Sequence, residues 1–161
     1  MTNFLPKKSV QVVKNYIKTL DIDIQLIELD STARTAEDAA QSLNQKVGSI
    51  VKSLLFRNYE DEFYLCIVSG DKYLSTEKVA TITGNKIIKS SADEVKKQTG
   101  FSIRGVSPVA HATPPDRIFI DKNLDRFDMV YAAAGHPYVV FGITYLDLLN
   151  ITMAEEKDII K

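Results

Sequence analysis

Two β-rich runs a few residues apart place the tightest limit on what this chain can fold into. Val51 to Arg57 and Phe63 to Val68 each have strand length, and Asn58-Tyr59-Glu60-Asp61 between them is turn-forming. Strands joined by so short a loop run antiparallel, because a parallel pair needs a crossover of about a dozen residues or more. A wholly parallel sheet is thereby excluded. Further strands are expected at 22–29, 86–89, 117–120, 129–133 and 139–143, where β-formers cluster or alternate.

Helices interleave with these strands. Val10, Val13, Ile17 and Leu20 recur at helical spacing, and Lys7, Gln11, Lys14 and Lys18 form a stripe beside them. That stripe is either a solvated face or a set of phosphate contacts. Thr35 caps a second helix whose first turn holds Glu37 and Asp38, where acids suit the positive helix end. Its apolar face, Ala36, Ala39, Ala40 and Leu43, is narrow and allows close packing on a sheet. Ser75 and Gly84 bracket a third helix. Ser91-Ala92-Asp93-Glu94 is a capping box for a fourth, which stops at Gly100, and Thr144 caps a last one. The expected architecture is one α/β (α+β type) domain over residues 1–161. Its sheet is mixed and mostly antiparallel, curled or barrel-like, with helices packed outside.

Composition narrows the function. A chain of 161 residues with 45% hydrophobic and 25% charged residues has the balance of a soluble globular domain. Its net charge of −1 argues against wholesale coating of nucleic acid but leaves room for a local basic patch. The single cysteine, Cys66, lies in an apolar run and reads as a small core residue; no intramolecular disulfide can form. Cys66, His111 and His136 are too scattered for a zinc site, so no metal and no cofactor are expected. No apolar run has signal-peptide or membrane-spanning character, so the expected location is the cytoplasm, with no membrane partner.

Three features could carry chemistry. Period two puts Ile50, Lys52, Leu54 and Phe56 on one strand face that is otherwise apolar. A lysine there either snorkels at the sheet edge or points into a cavity. The loop Arg104-Gly105-Val106-Ser107-Pro108 combines a permissive glycine with a rigid proline, and such a loop can aim backbone N–H groups at a developing oxyanion. In Ala132-Ala133-Ala134-Gly135-His136-Pro137 small residues let a ligand approach the backbone, although a plain hairpin would look the same.

The ordered set of motifs is similar to the YbaK/prolyl-tRNA synthetase-associated editing domain family. The matching pieces are Thr35 to Ala40, Ile50 to Phe56, Val68-Ser69-Gly70-Asp71-Lys72, Thr99-Gly100-Phe101, Gly105 to Pro108 and Ala134-Gly135-His136. They span roughly residues 30 to 150. The resemblance implies an open barrel with surrounding helices. It also implies trans-acting hydrolysis of the ester between a small, wrong amino acid and the 3′-terminal adenosine of tRNA. Aminoacyl-tRNA is then the partner, with an aminoacyl-tRNA synthetase as a second one. By the same resemblance Lys52, Gly105, Ser107 and Pro108 are the catalytic set, and Thr35, Arg104, Val106, Gly135 and His136 the substrate-binding set. Arg104 departs from the pattern, since a glycine is common there. Two alternatives remain: a module of the same fold that holds a tRNA end or nucleotide without turnover, and a regulatory protein that docks to a synthetase.

Overall fold

The hairpin lies at the centre of the larger of two sheets. The computed structural model describes residues 3–30 and 33–161. In chain order its elements are α1 (Lys8–Lys18), β1 (Leu26–Glu28), α2 (Ala36–Leu43), β2 (Val51–Arg57), β3 (Phe63–Ser69), α3 (Thr76–Thr83), β4 (Ile88–Lys89) and α4 (Ala92–Thr99). Then come β5 (Arg117–Ile120), β6 (Val130–His136), β7 (Val139–Ile143), α5 (Tyr145–Thr152) and β8 (Glu155–Glu156), with 3-10 turns at Val47–Ser49 and Lys122–Arg126. Five strands form one sheet in the order β4-β2-β3-β5-β8; three form another in the order β1-β7-β6. The pairs around β2 and β7 are antiparallel, and β5 runs parallel to both β3 and β8. A bridge between Ile50 and Tyr131 links the two sheets, which curl towards each other without closing.

The caps explain why the helices start where they do. Thr35 Oγ accepts from the Asp38 amide, and the Asp38 carboxylate accepts from the Thr35 amide in return. Ser91 and Glu94 make the same reciprocal pair at α4. Gly84 and Gly100 end α3 and α4 in the left-handed conformation.

β3 is covered on both faces. Phe63, Leu65 and Ile67 face the main core, which collects Val10, Val13 and Ile17 of α1, Val51 and Leu55 of β2, and Phe141 of β7. Tyr64, Cys66 and Val68 face a second cluster closed by Val79 of α3. A third cluster lies on the outer face of the small sheet, where Ala39 and Ala40 of α2 meet Leu29, Ile50 and Val140. Ile50 therefore packs away from Leu54 and Phe56, because the chain leaves its 3-10 turn just before β2 begins.

Candidate functional site

The seam between the two sheets holds a cavity of about 320 Å³. Its floor is apolar: Leu29, Ile50, Val51, Val106 and Val140 contribute. Ala36 and Ala39 of α2 form one wall, and their short side chains leave space that leucines would fill. Thr35 and Arg34 stand at the α2 end, Lys52, Ser53 and Leu54 come from β2, and Ile103, Arg104 and Val106 come from the loop after α4. Two larger grooves, of about 410 and 460 Å³, flank α1 and share Val12, Ala110 and His111. Neither contains Lys52 or Arg104, so the smaller cavity is the candidate site despite its size.

Lys52 is half-buried and lines the cavity, but its ammonium is tethered at the edge. It donates to the carbonyl of Lys72 and lies 5.1 Å from the centre of the Tyr73 ring. Burial pulls this ammonium below the ordinary lysine range, while the charges of Asp71 and Glu37 pull it back up. Asp71 is itself braced: Arg126 reaches its Oδ1 at 2.8 Å, and Ser69 Oγ donates to the same oxygen at 3.0 Å. The Arg126 guanidinium holds the Asp71 carboxyl below the usual range. The turn that receives the lysine head is thus stiff, and Lys52 meets it as a donor.

The 104–108 loop is held by its own hydrogen bonds. Gly105 N–H donates to the Ser102 carbonyl at 2.9 Å, and Val109 N–H donates to Ser107 Oγ at 3.2 Å. His111 adds a contact of 2.7 Å from Nε2 to the Ser107 carbonyl, which makes Nε2 the protonated nitrogen. The amide of Gly105 is therefore spent on the turn. Among the described residues nothing accepts from the amides of Val106 and Ser107. Gly105 also lies against the backbone of Gly135 and His136, so close that a Cβ would stand 2.9 Å from His136 Cα.

The structure brings Lys52, Thr35, Arg104 and Val106 into one cavity wall. Ser107 is fully buried behind the loop, and Pro108 lines the groove on the α1 side. Gly135 has φ +89° and packs against the backbone of Ser9. His136 stacks on Phe4 at 4.3 Å and accepts from the Tyr138 amide through Nδ1, while its neighbour Pro137 reaches the cavity. Burial and nearby Lys7 keep the His136 imidazole below the ordinary histidine range. Lys7, Lys14 and Lys18 are exposed.

Ser53 and Tyr73 carry no signal in the sequence and matter here. Ser53 Oγ is buried at the cavity wall and has no hydrogen-bond partner among the described residues. Cys66 is fully buried, with its thiol pushed up to about 12, as a core residue and not a nucleophile. Cys66 lies in β3, His111 beside α1 and His136 on Phe4, three separate places.

Comparison with known proteins places this geometry in context. A family model described as the aminoacyl-tRNA editing domain matches residues 30–151. The Bacillus subtilis (strain 168) protein YwhH, itself uncharacterized, is 31% identical over 147 residues, which is 91% of this chain and 93% of that one. A proline–tRNA ligase from Thermosipho africanus (strain TCF52B) is 35% identical over 77 residues, 47% of this chain but only 14% of the ligase. A crystal structure described as a candidate trans-editing enzyme for prolyl tRNA synthetase superposes with a TM-score of 0.91 at 35% identity, covering 96% of this chain and 98% of that one.

Proposed function

The chain belongs to the aminoacyl-tRNA editing domain family, and from that premise we propose that it is a trans-acting deacylase for tRNA carrying a wrong, small amino acid. The observation that carries this reading is the cavity itself. A tethered cation, Lys52, and a braced loop with the unspent amide of Val106 flank an apolar space.

An aminoacyl ester is already activated, so positioning and oxyanion stabilisation suffice. Lys52 holds the terminal phosphate or ribose as a compact cation. The amino-acid side chain lies among Ala36, Ala39, Ile50 and Val140. Water attacks the carbonyl carbon, and the amide of Val106 receives the negative charge on its oxygen. The bond from that carbon to the ribose oxygen then breaks. The ribose oxygen takes up the proton lost by water, relayed by the neighbouring ribose hydroxyl, and free amino acid and tRNA leave. This reading uses no metal ion and works in the cytoplasm, on the 3′ end of tRNA released by a synthetase.

The rival reading, a module that holds a tRNA end without turnover, draws on two observations. Arg104 stands in the cavity wall, and the Gly105 amide is already used. Deacylation of a panel of mischarged tRNAs decides between them. Turnover of at least one member is expected; binding to all without release of amino acid from any would leave only the rival.

A further inference from the structure

We propose that Tyr73 is a stacking platform for the unpaired 3′-terminal nucleobase of the bound RNA. This rests on the deacylase reading for the place of the ester and extends it to a base-binding subsite outside the cavity. Tyr73 is 74% exposed, an unusual cost for so large a ring. Its ring has no aromatic neighbour among the described residues, and its one close charged partner is the Lys52 ammonium at 5.1 Å. The backbone beneath the ring is fixed. Its carbonyl accepts from the Lys161 amide at 2.9 Å, Leu74 bridges to Ile160, and the Ser75 amide donates to the Ile159 carbonyl at 2.7 Å. An exposed aromatic on a rigid backbone loses little freedom when a base stacks on it.

Lys52 gives the ring its context. It lines the cavity that would take the aminoacyl group and touches Tyr73 at its other end. An ester seated in the cavity with its ribose or phosphate on Lys52 puts the attached base on the Tyr73 side of that lysine. Single-stranded bases are commonly held on aromatic faces in this way, beside cations that track the backbone. Tyr59 provides the comparison: it is 64% exposed at the tip of the β2–β3 hairpin, and among the described residues no cation lies over its ring.

The test uses the full chain and two short single-stranded RNAs, one ending in adenosine and one identical but abasic at its 3′ end. Wild-type protein is expected to bind the first about tenfold or more tightly than the second, the range of one base–aromatic stack. Tyr73→Leu should bind both alike, Tyr73→Phe should keep the preference, and Tyr59→Leu should behave as wild type. With mischarged tRNA, Tyr73→Leu should raise KM by a similar factor with kcat little changed. A preference for adenosine that survives Tyr73→Leu overturns the platform, as does loss of the preference in Tyr73→Phe. If wild type hydrolyses no mischarged tRNA yet shows a Tyr73-dependent preference, the deacylase reading fails and the base site stands. If it hydrolyses normally with Tyr73→Leu, the base site alone fails.

Discussion

Replacing Gly105 by alanine tests whether the close approach of two loops sets the reactive geometry. The added Cβ would stand 2.9 Å from His136 Cα and from His136 N, and 3.1 Å from Gly135 C. Carbon atoms in good contact are about 3.5–4.0 Å apart, so the two backbones must part by roughly 0.6 Å. All three contacted atoms are backbone, and Gly135 is itself pressed against Ser9 of α1, so the second loop cannot simply retreat. Overpacking of this kind costs about 1–3 kcal/mol. At about 2–4 °C per kcal/mol for a domain of this size, Tm should fall by about 2–12 °C. The amide of Val106 follows Gly105 directly, and a shift of about half an ångström should cost about tenfold in single-turnover deacylation. Gly84→Ala is the control, because it sits at φ +73° with nothing within 4 Å of the added carbon. It should lose about 1–2 kcal/mol from backbone strain alone and keep its rate. An unaltered Tm and rate in Gly105→Ala would refute the reasoning, and so would an equal loss of rate in Gly84→Ala.

Three further outcomes are expected. Lys52→Ala should lower kcat/KM by about 30- to 1000-fold, by analogy with loss of an oxyanion donor, while thermal unfolding stays cooperative. Equal single-turnover rates would remove Lys52 from the mechanism. Ser53→Ala removes a buried hydroxyl that has no partner, so Tm should stay level or rise. A lower Tm would reveal a bond that this hydroxyl makes in solution. Burial holds the His111 imidazole below the ordinary histidine range, so the unfolded chain takes up a proton there before the folded one does. The stability that His111 contributes is fully present above its unfolded pKa, near 6.5, and is lost as pH falls through the interval down to the folded value. Between about pH 7 and 5, Tm should fall more in wild type than in His111→Gln; parallel curves would contradict this.

Local chemistry was legible and distant pairing was not. The ranges 51–57, 117–120 and 139–143 are strands as read, because their β-formers end at clear breakers. The strand expected over 22–29 contracts to Leu26–Glu28, where β7 provides a partner. β6 runs on past Ala133 to His136 through an irregularity in register, so Gly135 serves a strand and a loop at once. β8 is two glutamates with no apolar alternation, and only its parallel pairing with β5 makes it a strand. At the site, the odd lysine of β2 left a cavity open as one of two readings, whereas the alanine face of α2, read as a close-packing surface, also lines the cavity. The resting place of the Lys52 head did not show, since it depends on Lys72 and Tyr73 arriving from the far end of β3. The spent amide of Gly105 and the unpaired hydroxyl of Ser53 were equally silent, because both follow from packing between segments remote in sequence.

The double burial of β3 turns Cys66 into a stopwatch. The chain has one cysteine, its thiol is sealed in the cluster closed by α3, and the reactive thiolate is suppressed. A thiol-specific label therefore reads only molecules in which the cluster beneath α3 has opened. Opening of the cavity loops or fraying of α1 would pass unrecorded. Labelling kinetics at Cys66 thus follow opening of the core beneath α3, apart from motions of the cavity loops, and need no engineered cysteine.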